Sequence, residues 1–321
     1  MLFRILRKRR QLAVQMDRTG EIAAGDILAF CCVRNEMLRL PYFLQHYRDL
    51  GVGHFLFVDN GSDDGTAEHL TAQPDVSLWV TDDSYRLARF GMDWLGLLQF
   101  RFGHGHWCLT VDADELLIYP HHTDRKLPEL VGWLDERKWV SFGALMIDLY
   151  PKGPVADHAY APGDNPVQAL PYFDHDNHRS QWHPVYDNLW IQGGVRDRVF
   201  FKDEPGRAPT LNKTPLVKWH RRYAYVSSTH QLLPCRLHDV FGCSEDDRIT
   251  GALLHTKFLN SVTAKSKEEL LRRQHFENSA LYVEYHEALA QNPDLWHSGA
   301  CRYEGWQQLV DLRLMSKGHW V

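Results

Sequence analysis

Hydrophobic and polar positions in the first part of the chain form two alternating patterns. Residues 27–33 are continuously apolar and rich in strand formers, which is typical of a central strand buried on both faces. Apolar residues then recur at helical spacing over residues 37–50, with Pro41 near the start and Gly51 after the end. The two patterns together predict a strand followed by a helix.

The same alternation continues to about residue 150. Further helices are predicted at residues 92–102 and 127–137, and further strands at residues 55–58, 76–80, 107–111 and 140–149. Strands that alternate with helices predict an α/β fold, with a mostly parallel sheet and right-handed crossovers.

The second half of the chain has weaker patterns. Residues 150–191 are rich in proline and have few apolar runs, which predicts a long excursion without regular structure. Short strands are predicted at residues 195–201, 216–219 and 252–258, and one long amphipathic helix at residues 265–290.

Charge and composition narrow the classes of function. The net charge of -5 argues against a broadly basic surface that binds nucleic acid. Five basic residues fall within positions 4–10, and we interpret them as a solvated, frayed terminus in preference to a weak contact with a membrane surface. The longest apolar run has about seven residues where a membrane span needs about 20, so no transmembrane segment is predicted. The absence of a secretory signal and of Cys-x-x-Cys spacing favours a cytoplasmic location.

Polar residues follow three of the predicted strands, at residues 34–36, 59–66 and 112–115. Since ligands bind beyond the carboxyl ends of parallel strands, these three loops should share one face of the sheet. In the third loop Asp112 and Asp114 are separated only by Ala113, so their carboxylates can aim at one hard cation and leave positions free for a diphosphate. A solvated acidic turn is the structural alternative.

The order and spacing of these loops carry a family resemblance. Val33-Arg34-Asn35-Glu36, the stretch from Asp59 to Thr66, and Asp112-Ala113-Asp114-Glu115 together resemble glycosyltransferase family 2 and its relatives of the GT-A fold. With the segment at residues 251–258, the chain looks like the soluble bacterial branch of that group. The first 120 or so residues carry most of the likeness.

The resemblance implies that the chain transfers a single sugar, with inversion, from a nucleotide-diphosphate sugar to a glycan or lipid-linked acceptor. UDP-sugar is the favoured donor, although Asn60 stands where a second carboxylate usually contacts the base, and Mn²⁺ or Mg²⁺ is the expected cofactor. It divides the chain into a basic segment (1–24), a nucleotide-sugar-binding portion (25–150), an acceptor-side portion (151–260) and a C-terminal helical segment (261–321). The candidate donor-binding residues are Val33, Arg34, Asn35, Glu36, Asp59, Asn60, Gly61, Asp64, Arg86, Arg89, Ala113 and Gly194.

Some of these candidates also have structural interpretations. Asp64 can form a turn or cap a helix, and Arg86 and Arg89 can form surface salt bridges in place of contacts to the diphosphate. Gly194 belongs to a Gly-Gly pair that resembles the glycine loop near the donor sugar, or forms a plain hairpin turn.

Two further residues complete the predicted site. A late histidine often supplies a metal ligand in this fold, and His255 fits that place, although a buried core histidine is the equal alternative. The carboxylate base that inverting members need is assigned to Asp148, at the end of an apolar strand. The expected Glu-Asp pair is not evident, since Glu245-Asp246 lies close to the strand that bears His255.

Two other classes of function remain open. A metal-dependent hydrolase would centre on the histidine-rich and aspartate-rich residues 174–183, where an exposed polar loop is the structural alternative. A non-catalytic sugar-nucleotide-binding module would keep the strand-end loops and the metal without a base. Stimulation of turnover by an acceptor distinguishes a transferase from both.

Overall fold

The computed structural model describes residues 2–184, 187–238, 240–241, 248–272 and 279–320. Its strands, numbered in chain order, are β1 (Ala13–Met16), β2 (Leu28–Val33), β3 (His54–Asp59), β4 (Val76–Val80), β5 (Trp107–Thr110), β6 (Glu115–Ile118), β7 (Ser141–Asp148), β8 (Tyr172–Phe173), β9 (Arg179–His183), β10 (Asn188–Gln192), β11 (Asn212–Lys218), β12 (Ala224–Ser227), β13 (Gln231–Leu233), β14 (Gly251–His255) and β15 (Cys301–Arg302).

The helices surround the larger of these strands. In chain order they are α1 (Leu2–Arg7), α2 (Leu40–Leu50), α3 (Thr66–Thr71), α4 (Met92–Phe102), α5 (Leu127–Glu136), α6 (Pro166–Ala169), α7 (Gly194–Phe200), α8 (Val262–Arg272), α9 (Ser279–Ala290) and α10 (Trp306–Asp311). No helix in the described ranges is both long enough and apolar enough to cross a bilayer.

Within the described residues, the central sheet has the strand order β1-β4-β3-β2-β5-β11-β7-β14-β6. Strands β4, β3, β2 and β5 are parallel. Strand β11 is antiparallel to both β5 and β7, so β7 and its parallel neighbour β14 point the same way as the first four. Strands β1 and β6 are antiparallel edges. The predicted α/β fold with a mostly parallel sheet flanked by helices is confirmed.

Helix α2 shows how proline and glycine mark the two ends of an element. Helix α2 has Pro41 in its first turn, and Gly51 ends it in the left-handed conformation with φ +94°. Residues along one face of α2, including Phe43 and Tyr47, pack into an apolar cluster with strands β2 and β3. Trp94 and Leu98 of α4 pack on the opposite side of the same strands, in a separate cluster. The sheet is therefore covered on both faces, as its continuously apolar strands require.

Three predictions about the second half of the chain are wrong. Residues 194–200 form a helix, where Val195 and Val199, one turn apart, pack against the same apolar cluster and override their strand propensity. Residues 265–290 contain parts of two helices, α8 and α9, which lie against each other, in place of one long helix. The proline-rich stretch from residue 150 contains α6, β8, β9 and most of β10 in place of a wholly irregular path.

The N-terminal segment is also folded, contrary to the expectation of a frayed terminus. Ile5 of α1 is 2% exposed and packs against Gly96 of α4, where an added Cβ would approach the Ile5 Cδ1 atom to 3.1 Å. Strand β1 pairs with β4 and extends the sheet. Apolar contact with α4 and backbone pairing therefore hold a segment whose composition alone predicts solvation.

Substitution of Gly51 tests the turn that ends α2. Gly51→Ala should lower the free energy of unfolding by about 1–3 kcal/mol, because the positive φ strains a side chain and the new Cβ meets the Pro128 ring at 2.9 Å. Gly25→Ala is the matched control, with φ +96° and no atom within 4 Å of its Cβ. Urea unfolding measures both variants. Equal losses in the two would contradict the steric part of this account.

Candidate functional site

The register of three strands brings the main functional side chains together. Strand β14 lies between β6 and β7, so His255 is paired with Glu115 on one side and with Asp148 on the other. Strand β6, which was not predicted, begins immediately after Asp114. The Asp112-Ala113-Asp114 loop is therefore held between two sheet strands.

His255 lies between two carboxylates. Its Nδ1 atom is 2.5 Å from Oδ1 of Asp148, and its Nε2 atom is 3.2 Å from Oδ2 of Asp114. The second oxygen of Asp148 accepts a hydrogen bond of 2.7 Å from Nε of Arg196. Because the Asp148 side chain is 1% exposed and both its oxygens accept, it fixes the imidazole with Nε2 directed toward Asp114.

Among Asp114, Asp148 and His255, the charge of each neighbour shifts the pKa toward the ionised form. Burial alone would raise the pKa of Asp148, but the Arg196 guanidinium and His255 hold it below its usual value. Burial alone would lower the pKa of His255, but the Asp114 and Asp148 carboxylates raise it. The pKa of Asp114 is lowered despite burial, chiefly by His255 and then by Arg39. The Asp114 and Asp148 carboxylates are therefore held ionised.

A second acidic pair, Glu115 and Asp112, is neutralised in part by Lys213. Nζ of Lys213, on β11, donates to Oε1 of Glu115 and lies 3.4 Å from Oδ2 of Asp112. Burial alone would lower the pKa of Lys213, but the Glu115 and Asp112 carboxylates raise it above its usual value. Lys213 and Glu115 are 4% and 0% exposed, whereas the Asp112 side chain is 53% exposed.

The backbone of the acidic loop is fixed by the residue after His255. The carbonyl oxygen of Asp114 accepts from the Thr256 amide at 2.7 Å and from the Thr256 hydroxyl at 3.0 Å. Arg39 in turn donates to the Thr256 and Lys257 carbonyls at 3.5 and 3.4 Å. The Asp114 carboxylate is thus held beside His255 by main-chain contacts.

The donor atoms suit a cation that takes oxygen and imidazole ligands. Oδ2 of Asp114 and Nε2 of His255 are 3.2 Å apart, a separation compatible with two ligands at roughly 2.0–2.6 Å from one ion. The hydrogen bond from His255 to Asp148 is the kind of second contact that metal-bound histidines make. In the described ranges, no three His, Cys, Asp or Glu side chains form a ready-made cation cage. The geometry offers two converging donors, with Asp112 exposed nearby.

The loops after β2 and β3 interlock beside this cluster. Nη1 of Arg34 donates to the carbonyls of Asn60 and Gly61 at 2.7 and 2.5 Å. The Asn35 amide donates to the Ser62 hydroxyl at 2.9 Å. The first two of the three predicted loops therefore share one face of the sheet, as expected, and the third follows β5, which neighbours β2.

A cavity of about 360 Å³ opens at these loops. It is lined by Arg34, Asn60, Gly61, Asp82, Asp83, Ser84 and Tyr85. Burial, Cys32 and the Asp112 carboxylate raise the pKa of the Tyr85 hydroxyl, which connects the cavity electrostatically to the acidic loop. Its volume lies in the range of small-ligand sites.

Residues 82–85 of this lining were not predicted. They directly follow β4, which is parallel to β3, so the rule that placed the other loops also applies to the polar run that begins at Asp82. The side-chain amide nitrogen of Asn60 donates to the Thr81 and Asp83 carbonyls at 2.9 and 3.0 Å. The side-chain carbonyl oxygen of Asn60 is therefore the atom left for a ligand.

Several predicted donor-binding residues have structural contacts. Val33 and Ala113 are 2% and 6% exposed in the core, so their side chains do not line the cleft. Glu36 accepts from Arg39 at 2.9 Å and from Lys265 at 2.5 Å, which ties its loop to α8.

The two aspartates of the second loop also bond to the backbone. The carboxylate oxygens of Asp64 accept from the Met37 and Thr66 amides, so this side chain joins the two loops. Asp59 is 2% exposed and uses one oxygen to accept from the Ser62 amide. Among the residues that the structure describes, its other oxygen is buried without a hydrogen-bond partner.

The arginine pair after β4 does not form one helical face. Arg86 is exposed on a short 3-10 turn, and Arg89 ends that turn with φ +51°. The Arg89 guanidinium contacts Asp93 at 2.7 Å and donates to the Tyr225 and Val226 carbonyls. Through its Nε and Nη1 atoms, Arg89 thereby joins α4 to β12.

The Gly-Gly pair lies beside the buried carboxylate. Gly194, with φ +71°, is placed so that an added Cβ would lie 3.8 Å from Oδ2 of Asp148. At Gly193 an added Cβ would meet the Asn177 carbonyl oxygen and the His178 Cα atom at 2.8 Å. The pair begins α7, which carries Arg196 to Asp148, and does not precede a strand as predicted.

Asp174 and Asn177, in the histidine-rich and aspartate-rich stretch, make structural contacts. Asp174 pairs with Arg198 at 2.7 Å, accepts from the Tyr150 hydroxyl and lies 3.2 Å from His297. The Asn177 side chain bonds to the backbone of Gly194. Glu245 and Asp246 lie outside the described residues.

Comparisons with known proteins show no family. No family model matches the chain, and no curated protein matches it. A putative glucose-1-phosphate thymidylyltransferase from Bacillus anthracis, solved in complex with sucrose, aligns at 9% identity over 44% of this chain and 65% of that one, with a TM-score of 0.26. A 4-diphosphocytidyl-2C-methyl-D-erythritol synthase aligns at 18% identity over 44% of this chain and 67% of that one, with the same TM-score of 0.26.

The buried pair beneath the acidic loop can be tested by stability. Lys213→Met should lower the free energy of unfolding by about 3–5 kcal/mol, because it leaves Glu115 buried without its cation. Lys213→Met combined with Glu115→Gln should recover part of that loss. Lys218→Met is the control on the same strand, where the partly exposed pair with Asp135 is worth at most about 1 kcal/mol. A double variant no more stable than Lys213→Met would contradict the coupling.

Proposed function

We propose that the protein is a divalent-metal-dependent glycosyltransferase that uses a nucleotide-diphosphate sugar, with UDP-sugar favoured. The observation that carries the proposal is the chain of contacts from Asp148 through His255 to Asp114, next to an exposed Asp112 and a small-ligand cavity. Two acidic residues and an oriented imidazole at the carboxyl ends of parallel strands are suited to holding a cation and a diphosphate together.

In this proposal Asp114 and His255 hold Mn²⁺ or Mg²⁺, and Asp112 joins them from the exposed side. The bound cation supplies neutralisation of the negative charge that develops on the leaving diphosphate. Lys257, two residues after His255, adds a cation for the phosphate oxygens. Burial lowers the pKa of Lys257, and the Asp114 and Asp148 carboxylates offset part of that shift. The chain's own residues thereby align the donor for attack by an acceptor hydroxyl.

We assign Asp148 a positioning role toward His255 in place of the predicted role of catalytic base. A base must reach the acceptor hydroxyl within hydrogen-bond distance. The Asp148 side chain is 1% exposed, and its oxygens already accept from Arg196 and His255. Its contacts therefore support a role in holding the metal ligand.

The cavity lined by the loops after β2, β3 and β4 is assigned to the nucleoside. The side-chain carbonyl of Asn60 can accept a base N–H, and the carboxylates of Asp82 and Asp83 can accept from ribose or base donors. The Tyr85 ring supplies an apolar and aromatic wall of the kind on which bases stack. The proximity of this cavity to Asp112 matches a ligand with a nucleoside at one end and phosphates at the other.

A hydrolase centred on residues 174–183 has less support. Asp174 forms hydrogen bonds with Arg198, Tyr150 and His297, and the Asn177 side chain forms them with the Gly194 backbone. These contacts hold α7 and its neighbours in place. A sugar-nucleotide-binding module without turnover remains the second candidate, since it needs the same cavity and carboxylates.

The metal bridge can be tested with the nucleotide alone. UDP should raise the melting temperature far more with Mn²⁺ than with chelator, because the cation links the carboxylates to the phosphates and only a ligand of the native state stabilises it. Asp114→Asn should remove this metal-dependent part and abolish sugar transfer while the protein stays folded. Asp124→Asn, at an exposed carboxylate elsewhere, is the control. Equal stabilisation in chelator would refute the bridge.

The role of His255 is tested by metal titration. His255→Asn should raise the Mn²⁺ concentration for half-maximal release of UDP from UDP-sugar by about tenfold or more, and Asp148→Asn should act in the same direction through the imidazole. His297→Asn is the matched control, since His297 also contacts a buried aspartate but lies at Asp174. Activation curves that superimpose for wild type and His255→Asn would show that His255 has a purely structural role.

A further inference from the structure

An exposed apolar and basic surface lies at the N-terminus, outside the candidate site. The side chains of Phe3, Leu6 and Leu87 are 72%, 44% and 64% exposed. Phe3 and Leu6 are three residues apart on α1, so they lie on one face of that helix. Leu87 is adjacent, because its carbonyl accepts from Arg4 at 2.8 Å and from Lys8 at 3.3 Å. We name these three residues the apolar patch.

The exposure of the apolar patch is not a consequence of a poorly attached helix. The opposite face of α1 is anchored by Ile5, which is 2% exposed against α4. Arg4 adds an ion pair of 2.7 Å to the buried carboxylate of Asp93. The helix is therefore fixed with its apolar patch directed away from the protein core.

The surroundings of the apolar patch are strongly positive. Arg7, Lys8, Arg9 and Arg10 follow one another from the end of α1, and the first acidic residue of the chain is Asp17. Arg7, Arg9 and Arg10 are exposed, in a protein whose net charge is -5. A concentrated positive charge beside exposed phenyl and leucyl side chains complements an anionic bilayer, which offers negative headgroups above apolar chains.

We propose that the apolar patch and residues 7–10 bind the surface of an anionic phospholipid membrane. Phe3, Leu6 and Leu87 enter the headgroup boundary, and the basic residues contact lipid phosphates. Leu87 is two residues after Tyr85, which lines the 360 Å³ cavity, so this docking places the mouth of the cavity close to the membrane. The proposal stands independently of the reaction that the site catalyses.

Vesicle binding by the full chain tests this proposal. The protein should co-sediment with vesicles of phosphatidylglycerol and phosphatidylcholine, at least tenfold more strongly than with phosphatidylcholine alone, and the binding should weaken as salt rises. Phe3→Ala combined with Leu6→Ala should weaken the binding at least tenfold. Arg9→Gln combined with Arg10→Gln should weaken it and reduce its dependence on salt.

Two controls separate the patch from general effects. Trp182→Ala removes another exposed apolar side chain, 50% exposed on β9, and should bind as wild type does. Arg221→Gln combined with Arg222→Gln removes two exposed charges from the turn after β11 and should also leave binding unchanged. Circular dichroism and melting temperature check that every variant is folded.

Three results would overturn the proposal. The first is equal sedimentation with anionic and neutral vesicles, and the second is wild-type binding by the Phe3 and Leu6 double variant. The third is self-association in lipid-free solution that the same double variant abolishes, since the patch would then be an interface between two copies of the chain. Because no nucleotide is needed, each result is distinguishable from failure of the proposed transferase activity.

Discussion

The hydrogen bond between His255 and Asp148 is the contact on which the rest of the site depends. It joins strand β14 to its parallel neighbour β7, and it fixes which imidazole nitrogen faces the acidic loop. Asp148 can remain ionised in the core only because Arg196, carried there by α7, supplies a second charged partner at 2.7 Å. The Gly193 and Gly194 turn, the placement of α7 and the direction of His255 are thus parts of one arrangement.

The acidic loop is stabilised by cations that belong to the protein. Lys213 lies beneath Glu115 and Asp112, and Arg39 holds the backbone that carries Asp114 in place. Internal neutralisation allows several carboxylates to lie close together in the folded chain. It also leaves the exposed Asp112 carboxylate and the oriented Nε2 atom of His255 as the groups that a ligand meets first.

The sequence predicted the part of the fold in which local signals agree with tertiary packing. Strands β2, β3, β4, β5 and β7 and helices α2, α4 and α5, with the Gly51 turn, follow from apolar periodicity and from glycine and proline at element ends, whereas α1, β1, α3 and β6 were not predicted. The predictions failed where distant contacts decide, as in α7, whose strand-like residues are held in a helix. The pairing of Asp148 with Arg196, and of Glu115 with Lys213 about 98 positions away, is set by strand order, which no local pattern reveals. The acidic loop and His255 were recognisable as candidates, but the partners that define their roles were not.

The central claim is that the nitrogen of His255 and the carboxylate of Asp114 are ligands of one cation. Electron spin echo spectroscopy of Mn²⁺ bound to the protein with UDP tests it directly, because a coordinated imidazole gives a nitrogen modulation and the diphosphate gives phosphorus couplings. The account predicts both signals in the wild-type protein and loss of the nitrogen signal alone in His255→Asn. Phosphorus couplings without any imidazole nitrogen in the wild-type protein would contradict it.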